Sequence, residues 1–132
     1  MKRDIEERRR FIRLEVPIEL KYVVEDDASQ MRRRVATKDL SCDGLRFISE
    51  QKIGEGAVLD LNLTIPGANN PVHIKGKAVW SRKISSEDAA PVEVGVEFIQ
   101  IEEDNKNTFL KYLCDLIYNE TKIMERSRKT KE

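Results

Sequence analysis

An all-β domain carrying a single C-terminal helix is the fold class this sequence predicts. Three observations carry the prediction. Short runs of alternating apolar residues recur at intervals of about ten residues. Turns bearing Gly, Pro and Asn separate them. After Glu102 the apolar spacing changes from two to three and four, the signature of a helix. The 132 residues fit one domain at a prior of roughly 150 residues each.

The elements follow in order. Val16, Ile18, Leu20, Tyr22 and Val24 alternate with Pro17, Glu19, Lys21 and Val23, which predicts a half-buried first strand. A polar turn, Glu25 to Gln30, leads to "MRRRVATKDL", a second strand with Val35 and Thr37 as its β-formers and its arginines facing water. "SCDG" punctuates the chain before "LRFIS", a third strand with Leu45 and Phe47 on one face. Gly54 and Gly56 mark a turn, and Leu59, Leu61, Leu63 and Ile65 form the clearest strand of the six. "PGANNP" ends it; "VHIKGKAVWSRKI" and "VEVGVEFIQI", separated by the loop "SSEDAAP", supply the fifth and sixth. Six short strands in this arrangement indicate an antiparallel sheet folded as a sandwich or small barrel.

In the helix, Phe109, Leu110, Leu113, Leu116 and Ile117 make an apolar face that Tyr112 and Cys114 broaden. Asp104 sits in the first turn, where a negative charge favours the helix dipole. The face is expected to pack on the strands, covering an open end or side, and its breadth leaves a homodimer open. "ERSRKTKE" has no apolar anchor and is expected to fray.

Composition excludes several function classes. Lys+Arg and Asp+Glu are equal at 24 each, which argues against a protein that coats duplex nucleic acid. His73 is the sole histidine, on the face opposite Val72 and Ile74, so no Ser–His–Asp or Cys–His group can assemble. Neither a phosphate-binding GxxxxGK[ST] loop nor a GxGxxG turn occurs. Cys42 and Cys114 lack CxxC spacing and read as ordinary thiols, with no metal expected. No enzyme is expected. The N-terminus is charged where a signal peptide would be apolar, and no apolar run suits a membrane span, so a cytoplasmic protein without membrane insertion is expected.

Two clusters remain. Arg8, Arg9, Arg10 and Arg13 crowd the lead-in to the first strand, with Arg9 and Arg13 in RxxxR spacing. Guanidinium forks pair with phosphates and with guanine O6 and N7. Asp39, Ser41 and Gly44 form a DxSxxG pattern between the second and third strands. Asp39 can accept from base N–H groups, Ser41 can donate or accept, and Gly44 allows a positive φ or a close backbone approach. Each pattern alone also suits a solvated tail or an ordinary turn.

Taken together and in this order, "RRRFIR", "DLSCDG", "AVWSR" and "VGVEF" resemble the PilZ domain, a bacterial receptor module for cyclic di-GMP, over roughly residues 7–118. The resemblance implies a six-stranded antiparallel β-barrel capped by the helix. It divides the chain into a flexible N-terminal arm at 1–8, the barrel and its helix at 9–118 with the helix beginning near 102, and a helix end and tail at 119–132. It implies that Arg9 and Arg13 grip phosphates and guanine edges, that Asp39 and Ser41 read the remaining polar groups, and that Gly44 shapes the loop. It gives Arg8 an influence on whether one dinucleotide or a stacked pair binds, with Arg10 extending the cluster. It also sets Trp80 near the ligand, where an indole could stack on guanine. Strand alternation gives the opposite placement, on the core face with Ile74 and Ala78. The implied function is a cyclic di-GMP receptor or adaptor whose arm orders on binding and which signals to a protein partner in motility, pilus assembly or exopolysaccharide secretion. A ligand-independent interaction module of the same fold and a barrel for single-stranded nucleic acid are the alternatives.

Overall fold

The computed structural model describes residues 13–26, 28, 31–87 and 89–130; within the final helix, side chains are described to residue 119 apart from 104 and 105. Six strands, β1 (Glu19–Val24), β2 (Arg33–Leu40), β3 (Gly44–Ser49), β4 (Val58–Thr64), β5 (Val72–Lys83) and β6 (Val92–Ile101), precede one helix, α1 (Glu103–Thr130). The strands close into a barrel in the order β1-β2-β3-β6-β5-β4, every pairing antiparallel. The sixfold strand pattern and the terminal helix expected from the sequence are therefore present. Of the two strand architectures the pattern allowed, the chain takes the barrel.

Closure follows from alternation. Leu20 and Tyr22 of β1, Leu45 and Phe47 of β3, Leu59, Leu61 and Leu63 of β4, and Val72 and Ile74 of β5 all point inward and are buried. An antiparallel sheet with one apolar face must cover that face, and curling upon itself does so while leaving no open edge. Tyr22 and Phe47 meet at the centre, ring centroids 4.8 Å apart. The helix adds Phe109 and Leu113 to the same core, with Phe109 edge-on to Phe98 of β6 at 5.8 Å. Cys114, expected on the apolar face, is instead exposed, because the stripe that meets the barrel passes through Phe109, Tyr112, Leu113 and Leu116.

Two irregularities matter for the outer surface. The β2–β3 register slips between Thr37 and Asp39, and the β5–β6 register slips between Ala78 and Trp80. Such bulges turn the following side chain away from its alternating place. Thr37 also ties in the chain ahead of β1: its buried hydroxyl accepts from the Ile18 amide at 2.9 Å and donates to the Val16 carbonyl at 2.7 Å. Arg33, expected to face water, is half-buried, with its Nε buried. No helix among the described residues is long and apolar enough to cross a membrane.

Burial pushes the Tyr22 phenol above its ordinary 10.0, despite the hydrogen bond to Ser49. Ser49 Oγ donates to the Gln51 carbonyl at 2.8 Å, so at the 2.8 Å contact between the two hydroxyls Tyr22 is the donor. A raised folded-state value means this contribution to stability is complete below pH 10 and is lost as pH rises through the folded value. Tyr22→Phe should flatten the alkaline limb of the stability–pH curve and cost about 1 kcal/mol near neutrality, the usual worth of one hydrogen bond. Urea unfolding from pH 7 to 11 measures both; an unchanged alkaline limb would rule out Tyr22 as its source.

Candidate ligand-binding cleft

The chain reaches the barrel through a two-bond bridge. The Leu14 amide donates to the Leu40 carbonyl at 2.8 Å, and the Leu40 amide donates to the Leu14 carbonyl at 2.9 Å. Leu14 is buried in the core, so the bridge is anchored at both ends. One residue before Leu14, and one before Leu40, stand Arg13 and Asp39. The bridge thus delivers the Arg13 guanidinium to the Asp39 carboxylate, with Nη1 3.5 Å from Oδ1. Arg8, Arg9 and Arg10 lie outside the described residues.

Asp39 is buried and faces a second arginine as well. Its cross-strand partner on β3 is Arg46, whose Nη2 lies 3.0 Å from Asp39 Oδ2. Arg46 Nη1 reaches Glu93 Oε1 of β6 at 2.8 Å, and Glu93 Oε2 accepts from Arg82 Nη2 of β5 at 3.3 Å. A row of alternating charges therefore runs around the outside of the barrel through Arg13, Asp39, Arg46, Glu93 and Arg82. Asp39 Oδ1, Glu93 Oε1 and Arg46 Nε are buried without an aligned hydrogen-bond partner. The row retains acceptor capacity at both carboxylates.

Ser41 and Gly44 build the turn next to it. The buried Ser41 hydroxyl donates to Asp43 Oδ1, stands 3.2 Å from the Gly44 carbonyl and accepts from the Asp43 amide at 3.4 Å, while the Ser41 amide donates to the Gly44 carbonyl at 2.9 Å. Of the two roles open to Gly44, close approach is the one used: a Cβ there would lie 2.3 Å from the Val96 carbonyl oxygen. Positive φ occurs instead at Gly56 and Gly67, in turns away from this face.

Trp80 is not in the core. The bulge after Ala78 pairs Ala78 with Val96 and Trp80 with Gly95, so two β5 steps match one on β6 and the indole leaves the inner face. It lies half-buried and flat against Gly95, where a Cβ would come within 2.2 Å of the ring. The Arg82 guanidinium carbon stands 5.9 Å from its centroid. A cleft of about 150 Å³ results, lined by Arg13, Asp43, Gly44, Trp80, Gly95 and Glu97 among others. It gathers a guanidinium, an aromatic face and backbone at two glycines beside the Asp39 carboxylate.

Sequence reasoning named Arg13, Asp39, Ser41, Gly44 and Trp80, and the fold brings all five to this side of the barrel wall. It missed Leu14, Arg46, Glu93 and Arg82. The Asp39–Arg46 and Glu93–Arg82 pairs are cross-strand neighbours, detectable only once strand register is known. A larger groove of about 530 Å³ between the β4–β5 loop and α1 contains none of the motif residues. Among the described residues no three His, Cys, Asp or Glu side chains cluster as a metal site.

Comparison with known proteins agrees with the fold. The sequence pattern of the PilZ domain matches residues 7–114. The PilZ domain with c-di-GMP of YcgR from Escherichia coli superposes with a TM-score of 0.60 at 17% identity, covering 92% of this chain and 98% of that one. MrkH of K. pneumonia in complex with c-di-GMP gives a TM-score of 0.66 at 15% identity, over 86% of this chain and 54% of that one. The Bacillus subtilis inhibitor of motility MotI/DgrA gives 0.64 at 12% identity, over 83% and 51% respectively. The chain thus spans about half the length of MotI and of MrkH. At these identities the likeness is one of fold. No curated protein matches.

Two substitutions test the cleft floor. Gly95→Ala should drive the indole off the strand, and since Trp80 is the only tryptophan its emission maximum should shift to the red. Gly44→Ala meets a backbone carbonyl that cannot yield, and should destabilise by about 1–3 kcal/mol, the range for overpacking, in urea titration. Unchanged emission in Gly95→Ala would mean that Trp80 does not rest on this glycine.

Proposed function

The chain belongs to the PilZ domain family, and from that premise and the cleft geometry we propose that it is a receptor for cyclic di-GMP which passes the signal to a protein partner. The observation that carries the reading is the delivery of Arg13, by the Leu14–Leu40 bridge, to a buried Asp39 beside Gly44 and Trp80. Cyclic di-GMP has two phosphates and two guanines. Guanine presents acceptors at O6 and N7 and N–H donors on its opposite edge, so it needs both a guanidinium and a carboxylate.

Each residue has a role in this reading. Arg13, together with Arg9 of the preceding arm, holds phosphate oxygens and the O6/N7 edge. Asp39 Oδ1, which accepts no aligned hydrogen bond within the protein, accepts from guanine N–H groups. Ser41 and Gly44 keep the turn low enough for a base to approach the backbone. Trp80 offers a ring face, and Arg8 and Arg10 add positive charge that favours a second, stacked dinucleotide. The cleft is smaller than the roughly 300–1,000 Å³ of an enclosing ligand pocket. The dinucleotide accordingly lies along the outer wall with one edge inserted, and the arm closes over it. That closure alters the surface next to β2 and β3 and is the change a partner protein reads. The output is adaptor-like, with no reaction step assigned to any residue.

The net formal charge of zero fits this ligand. A dianion needs a local cluster of arginines, whereas duplex nucleic acid calls for a broad basic face. Arg9→Ala and Arg13→Ala should each weaken cyclic di-GMP binding by about 1.5–3 kcal/mol, the range for hydrogen bonds to charged groups. That corresponds to roughly tenfold to over a hundredfold in Kd. Titration calorimetry measures the loss and counts ligands per chain. Wild-type affinity in Arg13→Ala would remove the arm from the site. No heat or shift with the wild-type chain at high micromolar ligand would favour the ligand-independent interaction module.

A further inference from the structure

Five charged side chains stand in one row on the outer wall, and they are not equally held. The outermost two are exposed: the side chains of Arg13 and Arg82 retain 54% and 71% of their accessibility and stand 3.5 and 3.3 Å from their carboxylates. Charge-assisted pairs in good geometry are shorter, about 2.7–2.9 Å. The central arginine differs. Arg46 retains 29%, contacts Asp39 at 3.0 Å and Glu93 at 2.8 Å, and engages one Nη on each. Both carboxylates are under 10% exposed.

We infer that Arg46 is the internal counter-ion of the site, shared by Asp39 and Glu93, so that the outer arginines Arg13 and Arg82 together hold one positive charge beyond what the two carboxylates need and offer it to an anionic ligand. Arg82, whose guanidinium carbon stands 5.9 Å from the centroid of the Trp80 ring that lines the cleft, then becomes a second binding arginine. This rests on reading the cleft as the cyclic di-GMP site. The physical reason is electrostatic accounting across the row. A buried carboxylate without a partner is strongly disfavoured, so the nearest arginine is retained by it. With Arg46 in place, three guanidinium charges face two carboxylates, and one outer arginine can leave without stranding a negative charge. Without Arg46, two face two, and each outer arginine is needed where it stands. The approaching dianion would also meet both carboxylates less well screened. Arg46 is thus a positioning residue, while Arg13 and Arg82 touch the ligand.

The neutralisation idea makes a claim that direct ligand contact by Arg46 does not. If Arg46 acts by cancelling Glu93, removing the charge of Glu93 should compensate for losing Arg46. Three variants, Arg46→Met, Glu93→Gln and the double variant, are titrated with cyclic di-GMP alongside the wild-type chain. Groups in one ion-pair network couple non-additively, and the double-mutant cycle isolates that coupling. Arg46→Met should weaken binding by about tenfold or more, Glu93→Gln should leave it unchanged or tighten it by up to about tenfold, and the double variant should return to within about threefold of wild type. Undiminished binding in Arg46→Met, or no recovery in the double variant, overturns the inference. Should Arg46→Met fail to fold, Glu93→Gln alone decides: weaker binding overturns the inference, and equal or tighter binding supports it. Arg82→Ala should weaken binding by at least about fivefold, as loss of a charged hydrogen bond implies.

If the wild-type chain takes up no cyclic di-GMP, the proposed function fails first, and a ligand-free measurement still judges the central arginine. In arginine-side-chain NMR spectra, Arg46 should show resolved Nη protons from hindered rotation, whereas Arg13 and Arg82 should be averaged. Averaged Arg46 protons would overturn its role as the fixed counter-ion.

Discussion

Asp39 is a carboxylate set into the wall of an apolar barrel, and much of the surrounding geometry answers to it. Moving such a group out of water costs several kcal/mol unless opposite charge meets it where it stands. Two arginines do so from independent directions: Arg46 comes from the neighbouring strand through register, and Arg13 from the lead-in chain through the Leu14–Leu40 bridge. The bridge is itself held by the burial of Leu14 and Leu40 in the core. Core packing and surface charge are therefore coupled at this corner. A defect in the apolar contact at Leu14 would displace Arg13 as surely as a change at Arg13 itself.

The barrel supplies the rest by geometry. Outward positions on neighbouring antiparallel strands lie side by side, so Asp39 on β2, Arg46 on β3 and Gly95 on β6 fall in one band, with Trp80 opposite Gly95 on β5. Two glycines deepen that band. At Gly44 the β6 backbone comes close enough to exclude a Cβ, and at Gly95 the missing side chain lets the indole lie flat. The bulge at Ala78/Trp80 is what places an aromatic ring outside at all. Without it, strict alternation would have buried Trp80 on the inner face next to Ala78 and left the cleft with no ring face.

The fold was legible because alternation is strict where it matters. Leu59, Leu61 and Leu63, or Val72 and Ile74, announce an inward face with no knowledge of partners, and all are buried. The helix was equally plain from Phe109 and Leu113. The local half of the candidate site was legible for a related reason: Asp39, Ser41 and Gly44 lie within one turn, so their spacing is their geometry. What stayed hidden depends on register. No local spacing singles out Arg46 within its short strand or Glu93 within its alternating run. Only their pairing across β2–β3, β3–β6 and β5–β6 turns them into a charge row. Trp80 was misplaced by alternation because a single extra residue shifts every later side chain to the other face. Cys114 shows the parallel limit in the helix: apolar character marked a broad stripe, and packing against the barrel selected only part of it.

A charge row of this kind sets what the surface can recognise. Each arginine offered to a ligand must first leave a carboxylate, so net affinity is the difference between two sets of ion pairs, not the strength of one. A simple anion offers Arg13 a negative charge but brings no donor to the Asp39 carboxylate that Arg13 would leave. A ligand that brings two negative charges to Arg13 and Arg82, and N–H donors to Asp39, replaces what it disrupts at both ends of the row. In the proposed reading the carboxylates contribute discrimination, because they accept a ligand whose own N–H donors satisfy them. On that argument the two carboxylates of the row, and not its arginines alone, belong to the proposed recognition. A more basic surface would bind anions sooner and distinguish them less.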